Sequence, residues 1–376
     1  MPSRTWAKET SYVVPSFQTA IQQNDGGTLA INTAAPVPAL EPGTVLVRTC
    51  AVGLNPTDYK MPANFPTEGA IAGCDFAGIV VQVSDDNDST GTGEPSCRFQ
   101  PGDRVCGAVH GSNPADKETG AFAQYIRAPA DMLVRLPKHV TWAQGASLGL
   151  VGHGTVAQVM WSCFGLEAAP DRPAADLDAE YVLVYGGSTA TGTMAIQMLH
   201  LSGLKPIAIC SPRNFALARK YGATAVFDYM SPSCGADIRA YTQNALWYAL
   251  DCISDEHSAE ICYAALGRAG GIYVCLEAQD SELLAVRKAV KPEFLMGYDM
   301  FGKGVALPGA YAREPNPERH SLSSVWLSTL EKLLRDDKIK FHPIKVLGTE
   351  WKDILDGLDV LRRGNISGTK LVVEVS

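Results

Sequence analysis

Tyr181-Val182-Leu183-Val184-Tyr185-Gly186-Gly187-Ser188-Thr189-Ala190-Thr191-Gly192 is the stretch on which the fold turns. Its first five residues are apolar without alternation, the pattern of a strand covered on both faces. Small residues then let the chain turn tightly, and a helical run, Thr193 to Leu201, follows. A strand, a glycine turn and a helix leave free backbone N–H groups at the helix start, where a pyrophosphate can sit. The spacing is not G-x-G-x-x-G, because Thr189 and Ala190 stand where further glycines would be. Taken alone, the turn also reads as mere helix punctuation.

The flanking chain favours the nucleotide reading. Strands are expected at Pro206–Cys210, Ala225–Phe227, Tyr248–Asp251 and Gly271–Cys275, with helices at Phe215–Tyr221, Ala236–Asn244 and Ser258–Leu266 between them. Strands alternating with helices of this length imply βαβ crossovers and a parallel sheet. Before this unit, residues 1–140 carry Gly, Pro and β-branched runs such as Val45–Arg48, Ala77–Val81 and Arg104–Gly107, and read as a compact β domain. The polar segment Ser84 to Pro101 reads as a surface loop, Trp142 to about Leu166 as a helical stretch, and Ala168 to Ala175 as a link. After residue 315 come a helix (Leu322–Leu334), a strand near Phe341, a helix (Ile354–Arg362) and a strand (Leu371–Val375). The expectation is an α/β protein of two domains, one from 1–155 and 315–376, the other from 156–314.

Composition narrows the function. The 376 residues are 46% hydrophobic and 19% charged, ordinary for a globular chain, and 32 Lys+Arg against 40 Asp+Glu leave −8. An acidic balance disfavours nucleic acid or an anionic membrane as the main partner. The first residues lack the apolar core of a secretory signal and no stretch is apolar for long enough to span a bilayer, so a cytoplasmic protein is expected. No two of the ten cysteines stand in C-x-x-C spacing and several lie in apolar runs, which suits buried thiols better than a disulfide framework or a zinc cluster.

Two further sites carry chemistry. Cys210-Ser211-Pro212-Arg213-Asn214 ends the strand after the glycine turn. It holds no carboxylate to grip the ribose hydroxyls of NAD, whereas Ser211 and Arg213 offer a donor and positive charge to the 2′-phosphate of NADP. Asn55-Pro56-Thr57-Asp58-Tyr59-Lys60 opens a short helix, which Asp58 could cap. Lys60 reads in two ways, as a solvated surface residue or as an ammonium aimed at a cofactor or developing negative charge.

Gly53–Asp58, Gly73–Gly78, Gly102–Val105, Gly120–Ala123, the glycine turn, Ala265–Gly271 and Gly368–Val373 resemble the medium-chain dehydrogenase/reductase superfamily, in its order and over nearly the whole chain. More narrowly, Tyr185–Thr191, Cys210–Asn214, Phe227–Tyr229 and Tyr248–Ile253 are similar to the trans-acting enoyl reductases of fungal polyketide pathways. The resemblance implies a GroES-like β-rich catalytic domain packed on a doubly wound Rossmann domain, with NADPH in the cleft. It implies cofactor contacts at Thr57, Asp58 and Lys60, at Ser188, Thr189 and Thr191, at Ser211, Arg213 and Asn214, at Tyr229, at Leu276 and Glu277, and at Ile366 and Ser367. The acyl chain would lie along Leu148, Gly149, Leu150, Val151, Gly152, His153, Gly154 and Thr155, and along Gly297, Tyr298, Asp299, Met300 and Phe301. On composition alone, these last two stretches read equally as a helix start and as core.

Departures from the superfamily matter as well. Its zinc alcohol dehydrogenases have Cys where this chain has Asn55 and His where it has Cys74, and the Ser84–Pro101 loop holds one cysteine where a structural zinc would need four. No metal is expected. The fitting chemistry is then hydride delivery to Cβ of an α,β-unsaturated thioester, with Lys60 orienting the reactants or supplying positive charge and no residue standing out as the proton donor. Three readings compete: an enoyl reductase serving an acyl-carrier domain of a polyketide synthase, a quinone or alkenal reductase acting on free substrates, and a non-catalytic NADPH-binding scaffold. The resemblance implies a monomer. Candidate carrier-docking clusters are Arg287, Lys288 and Lys291, or Lys338, Lys340 and Lys345, each also readable as a solvated face.

Overall fold

Six parallel strands form one sheet, in the spatial order Ala225–Phe227, Lys205–Ile209, Tyr181–Tyr185, Tyr248–Asp251, Gly271–Cys275 and Val290–Phe294. The computed structural model describes residues 12–84, 97–175, 180–364 and 366–375. The apolar runs read from the sequence are two-faced here. Val182, Val184, Ala208, Leu250 and Val274 enter one buried cluster, and Leu183, Tyr185, Ile207, Ala249 and Tyr273 enter another on the opposite side. Each of the Val, Leu and Ile side chains among them contributes roughly 1.5–3 kcal/mol when fully buried, and covering both faces explains the missing alternation. The strand order reverses direction between Tyr181–Tyr185 and its neighbour Tyr248–Asp251, which opens a crevice at their carboxyl ends.

A second sheet runs Ile344–Val346, Lys370–Glu374, Thr44–Gly53, Asp75–Val83, Arg104–Ala108, Leu133–Arg135, with Tyr125–Pro129 also paired to Thr44–Gly53. The strand Lys370–Glu374 lies antiparallel to Thr44–Gly53, so segments far apart in the chain share one sheet. A single buried cluster continues from Val134 and Ala143 through Leu150 and Met160 to Val184 and Leu330, and this shared core fixes the walls of the cleft between the two sheets.

Several elements differ from expectation. The helical stretch after Trp142 is broken at Gly149, whose φ of 65° lies in the left-handed region, into Trp142–Ser147 and Leu150–Ala157, with π-helical turns over Gln158–Cys163. The strand expected near Phe341 forms at Ile344–Val346 instead. The hairpin Phe17–Gln23 with Leu29–Pro36 and the sixth parallel strand, Val290–Phe294, gave no clear sequence signal. That sixth strand is an edge, and its exposed Lys291 and Pro292 suit an edge while hiding the strand's period. Residues 85–96 of the expected surface loop lie outside the described residues. All ten cysteines are free thiols, and six are buried. Among the described residues no helix is long and apolar enough to cross a membrane.

Candidate active site

A long groove follows the crevice of the parallel sheet. Its floor is the glycine turn, where Gly186 has φ 73° and a Cβ on Gly192 would stand 2.2 Å from the Gly186 carbonyl oxygen. No side chain fits there, so the backbone stays open beside the start of helix Ala190–Leu201. Thr189 caps that helix, its hydroxyl accepting from Gly192 N–H at 2.9 Å. Ser188, Thr189 and Thr191 line the groove at this end. At the other end Ser211, exposed Arg213 and Tyr229 line it, with the Ser211 hydroxyl 3.5 Å from the Tyr229 oxygen. Ile366 and Ser367 close it from the second sheet, and Asn214 donates to the Ser367 hydroxyl at 2.8 Å. A glycine cradle at a helix N-terminus, with a hydroxyl and a cation in the Ser211–Asn214 segment and no carboxylate within that segment, forms a donor set that fits a phosphorylated dinucleotide.

The groove opens into a cavity lined by both units, and Asn55, Lys60, Thr191, Cys252 and Ile253 border both. The cavity walls are mostly apolar: Met61, Phe65, Val151, Leu276, Phe294 and Met296. Lys60 reaches across the cleft to Glu277, Nζ to Oε2 at 2.8 Å, and the Tyr311 hydroxyl donates to the other carboxylate oxygen. Both charged side chains are partly exposed, so the pair adds little to stability, but it sets the ammonium at the junction of groove and cavity.

Beneath that junction lies a buried polar cluster. Asp75 accepts from Asn55 Nδ2 at 2.7 Å and from the Val151 N–H at 3.0 Å, which anchors helix Leu150–Ala157 at its positive end. Lys370 Nζ lies 3.4 Å from the same carboxylate and also donates to Asn55 Oδ1. Burial pushes the Cys74 thiol well above its ordinary range, with the nearby Asp58 carboxyl adding to the shift, so the sulfur keeps its proton. At the positions of Asn55 and Cys74 the chain thus offers an amide bonded to an ammonium and a protonated thiol, not the thiolate and imidazole donors that zinc takes. Among the described residues no group of three or more His, Cys, Asp or Glu could hold a metal.

The structure brings together part of the expected site. Thr57, Lys60, Leu276, Glu277, Val151, Gly152, Thr155, Gly297 and Tyr298 line the cavity. Others are placed elsewhere. Asp58 is 2% exposed and accepts from the Asn55 N–H at 2.7 Å, closing the helix start, and it lines neither space. Burial raises its pKa to about 7. Leu148, Leu150, Gly154 and Gly149 face packed interior, where a Cβ on Gly154 would strike Met300 and one on Gly149 would strike Met194. His153 is buried 6.1 Å from Trp326, ring to ring, and burial lowers its pKa to about 3. Asp299 is tied to Arg319 at 2.6 Å, Met300 is fully buried and Phe301 packs against the core. Helical geometry explains the split in the first stretch: only the face carrying Val151, Gly152 and Thr155 turns to the cavity. Sequence reasoning missed Phe65, Phe294 and Tyr311, which come from separate segments without a motif, and assigned no role to Ile253 and Lys370 although they lie in the stretches Tyr248–Ile253 and Gly368–Val373. The signal that could have found Ile253 is its place two residues past the end of strand Tyr248–Asp251, at the carboxyl edge of the sheet; it is 42% exposed.

Two docking candidates also change role. Arg287 donates to the carbonyls of Tyr263 at 2.6 Å and Leu266 at 3.1 Å, so it closes the end of helix Glu256–Ala265. Lys340 Nζ donates to the Lys220 carbonyl at 2.8 Å.

A glycine-cradled groove on a doubly wound sheet, joined to an apolar cavity under a GroES-like sheet, defines a medium-chain dehydrogenase/reductase. Residues 41–138 match the alcohol dehydrogenase GroES-like domain and residues 190–289 the family described as zinc-binding dehydrogenase. The chain is 42% identical to trans-enoyl reductase ffsC of Aspergillus flavipes, over 100% of its own length and 99% of that protein's. It is 46% identical to trans-enoyl reductase caaB of Aspergillus niger, over 96% and 98%. The chain belongs to the trans-enoyl reductase family. In fold it is similar to CurK enoyl reductase, with a TM-score of 0.71 at 17% identity over 96% of this chain and 99% of that one. It is similar also to a mycobacterial protein complexed with NADPH, at a TM-score of 0.69 and 18% identity over 95% and 99%.

Proposed function

We infer that this trans-enoyl reductase uses NADPH to saturate the α,β double bond of an acyl thioester carried by the acyl-carrier domain of a partner polyketide synthase. The observation that supports this best is the continuity of the two spaces: a donor-lined groove that fits a dinucleotide runs into an apolar cavity, with Lys60, Thr191 and Ile253 on the border of both. In this reading residues 156–314 are the cofactor-binding unit, and 1–155 with 315–376 supply the catalytic wall. Thr189, Thr191 and the open backbone of the glycine turn would hold the pyrophosphate, and Ser211 and Arg213 the 2′-phosphate. When bound there, NADPH would supply the hydride for Cβ, and a proton from solvent would complete the saturated chain at Cα. Negative charge then spreads to the thioester oxygen, so fixed donors and positive charge at the junction lower the barrier. Lys60 stands at that junction, held by Glu277. The apolar walls exclude water and give a chain of CH₂ groups roughly 0.8 kcal/mol of burial each. Docking of the carrier domain would draw on Lys288 and Lys291, which stay exposed.

The test is NADPH oxidation with an enoyl chain on a carrier domain, beside free quinones and enals at matched low concentrations. Faster turnover of the carrier-bound chain is expected. Equal or faster turnover of the free compounds would make the protein a small-molecule reductase, and no turnover of any would make it a binding protein.

A further inference from the structure

We propose that the Tyr298 hydroxyl, with that of Thr57 beside it, is the hydrogen-bond donor that meets the negative charge developing on the substrate's thioester oxygen. This rests on the enoyl-thioester reading above and assigns its charge-stabilising group. Tyr298 comes from the turn Gly297–Phe301 and lines the cavity floor while only 4% exposed. A phenol so buried is normally well bonded. This one has a contact of ordinary length only to sulfur, a weak acceptor, at 3.3 Å to Cys74 Sγ, besides long contacts of 3.4 Å to Thr57 Oγ1 and 3.5 Å to the Gly111 carbonyl oxygen. The two oxygen contacts lie far beyond the usual O–H···O distance of about 2.7–2.8 Å. The proton is therefore available to a better acceptor, and a thioester oxygen carrying enolate charge is one.

The surroundings hold the group ready. The His110 ring stacks on the Tyr298 ring at 3.7 Å and 25°, which fixes its plane. Burial drives the His110 pKa down to about 3, so a neutral ring backs the phenol and adds no competing cation. Burial likewise raises the phenol and the Cys74 thiol well above their ordinary values, and both keep their protons. Beside Tyr298, a Cβ on Gly297 would come within 2.9 Å of Thr155 Oγ1 and 3.2 Å of Val151, so glycine keeps this end of the cavity open. Lys60, held by Glu277, supplies positive charge at the junction, while the hydroxyl donors on the cavity side are those of Tyr298 and Thr57.

Tyr298→Phe removes one oxygen and keeps the ring stack. With crotonyl pantetheine as a short free thioester, kcat should fall about a hundredfold, as for a lost oxyanion donor. KM should move less than about threefold, because the contact strengthens only as charge develops. Thr57→Val should show a smaller loss in kcat, restored by Thr57→Ser. A second readout needs no turnover: wild-type protein should intensify the ultraviolet enolate band of acetoacetyl pantetheine, and Tyr298→Phe should not. Wild-type kcat in Tyr298→Phe, or an unchanged enolate band, overturns the assignment. If the unmodified protein reduces no enoyl thioester, the functional reading falls, and the enolate band still decides what Tyr298 does.

Discussion

The groove and the cavity meet at Lys60, yet they are built in opposite ways. The floor of the groove is assembled from consecutive pieces of one βαβ pattern, with the glycine turn at Gly186–Gly192 and the strand end at Ser211–Arg213, while Tyr59, Lys60, Ile366 and Ser367 close it from the other unit. The positions on that floor that would meet a dinucleotide are open backbone at the glycine turn and residues at strand ends. The cavity is assembled from residues near 55–65, 151–155, 276–277, 294–298 and 311, which only the tertiary fold brings together. Backbone sites leave marks in sequence because glycine is needed where no Cβ fits. Side-chain cavities leave few, since an apolar wall residue looks like any core residue.

Asp58 breaks this contrast most sharply, because family resemblance assigns it to the cofactor whereas the structure buries it beneath the cavity as part of a helix cap. Its folded pKa of about 7 stands above the ordinary 3.8. As pH rises from about 4 to 7 the unfolded chain gives up this proton while the folded chain keeps it, so the contribution is fully present below the unfolded pKa. It is lost as pH climbs through the folded value, by up to roughly 1.4 kcal/mol per pH unit. Asp58→Asn, followed by denaturant unfolding across that window, should flatten the decline and leave NADPH affinity unchanged. A weakened NADPH affinity with an unaltered stability profile would return Asp58 to the groove.

Arg213 sharpens the contrast from the other side. Its exposed guanidinium at the strand end should meet the 2′-phosphate, and charge-assisted contacts of this kind contribute about 1.5–3 kcal/mol. Arg213→Ala should weaken NADPH binding by roughly tenfold or more and leave NADH nearly untouched. Equal weakening of both cofactors, measured by titration of nicotinamide fluorescence, would make Arg213 structural.

Much of the fold was legible for the same physical reason as the groove. Buried parallel strands such as Tyr181–Tyr185 are continuous apolar runs, and their alternation with helices leaves few topologies. Val290–Phe294 was not legible, because an edge strand tolerates Lys291, Pro292 and Glu293. In the site, expected residues at strand ends and helix starts line the groove or the cavity, whereas only one face of each of the stretches Leu148–Thr155 and Gly297–Phe301 lines the cavity. Residue runs carry no information on which side of a short helix meets a cavity until its partner is known. Phe294 and Tyr311 belong to the cavity only through long-range packing on Phe65 and on each other.

The central claim is that reducing equivalents travel from the groove to Cβ of a thioester in the cavity. Mass spectrometry of a carrier-bound enoyl chain after turnover with NADPH dideuterated at the nicotinamide C4 tests this directly. The account predicts a saturated chain that stays on the carrier with one deuterium at Cβ and a solvent-derived hydrogen at Cα. A chain without label, or label at the carbonyl carbon of an alcohol product, would contradict it.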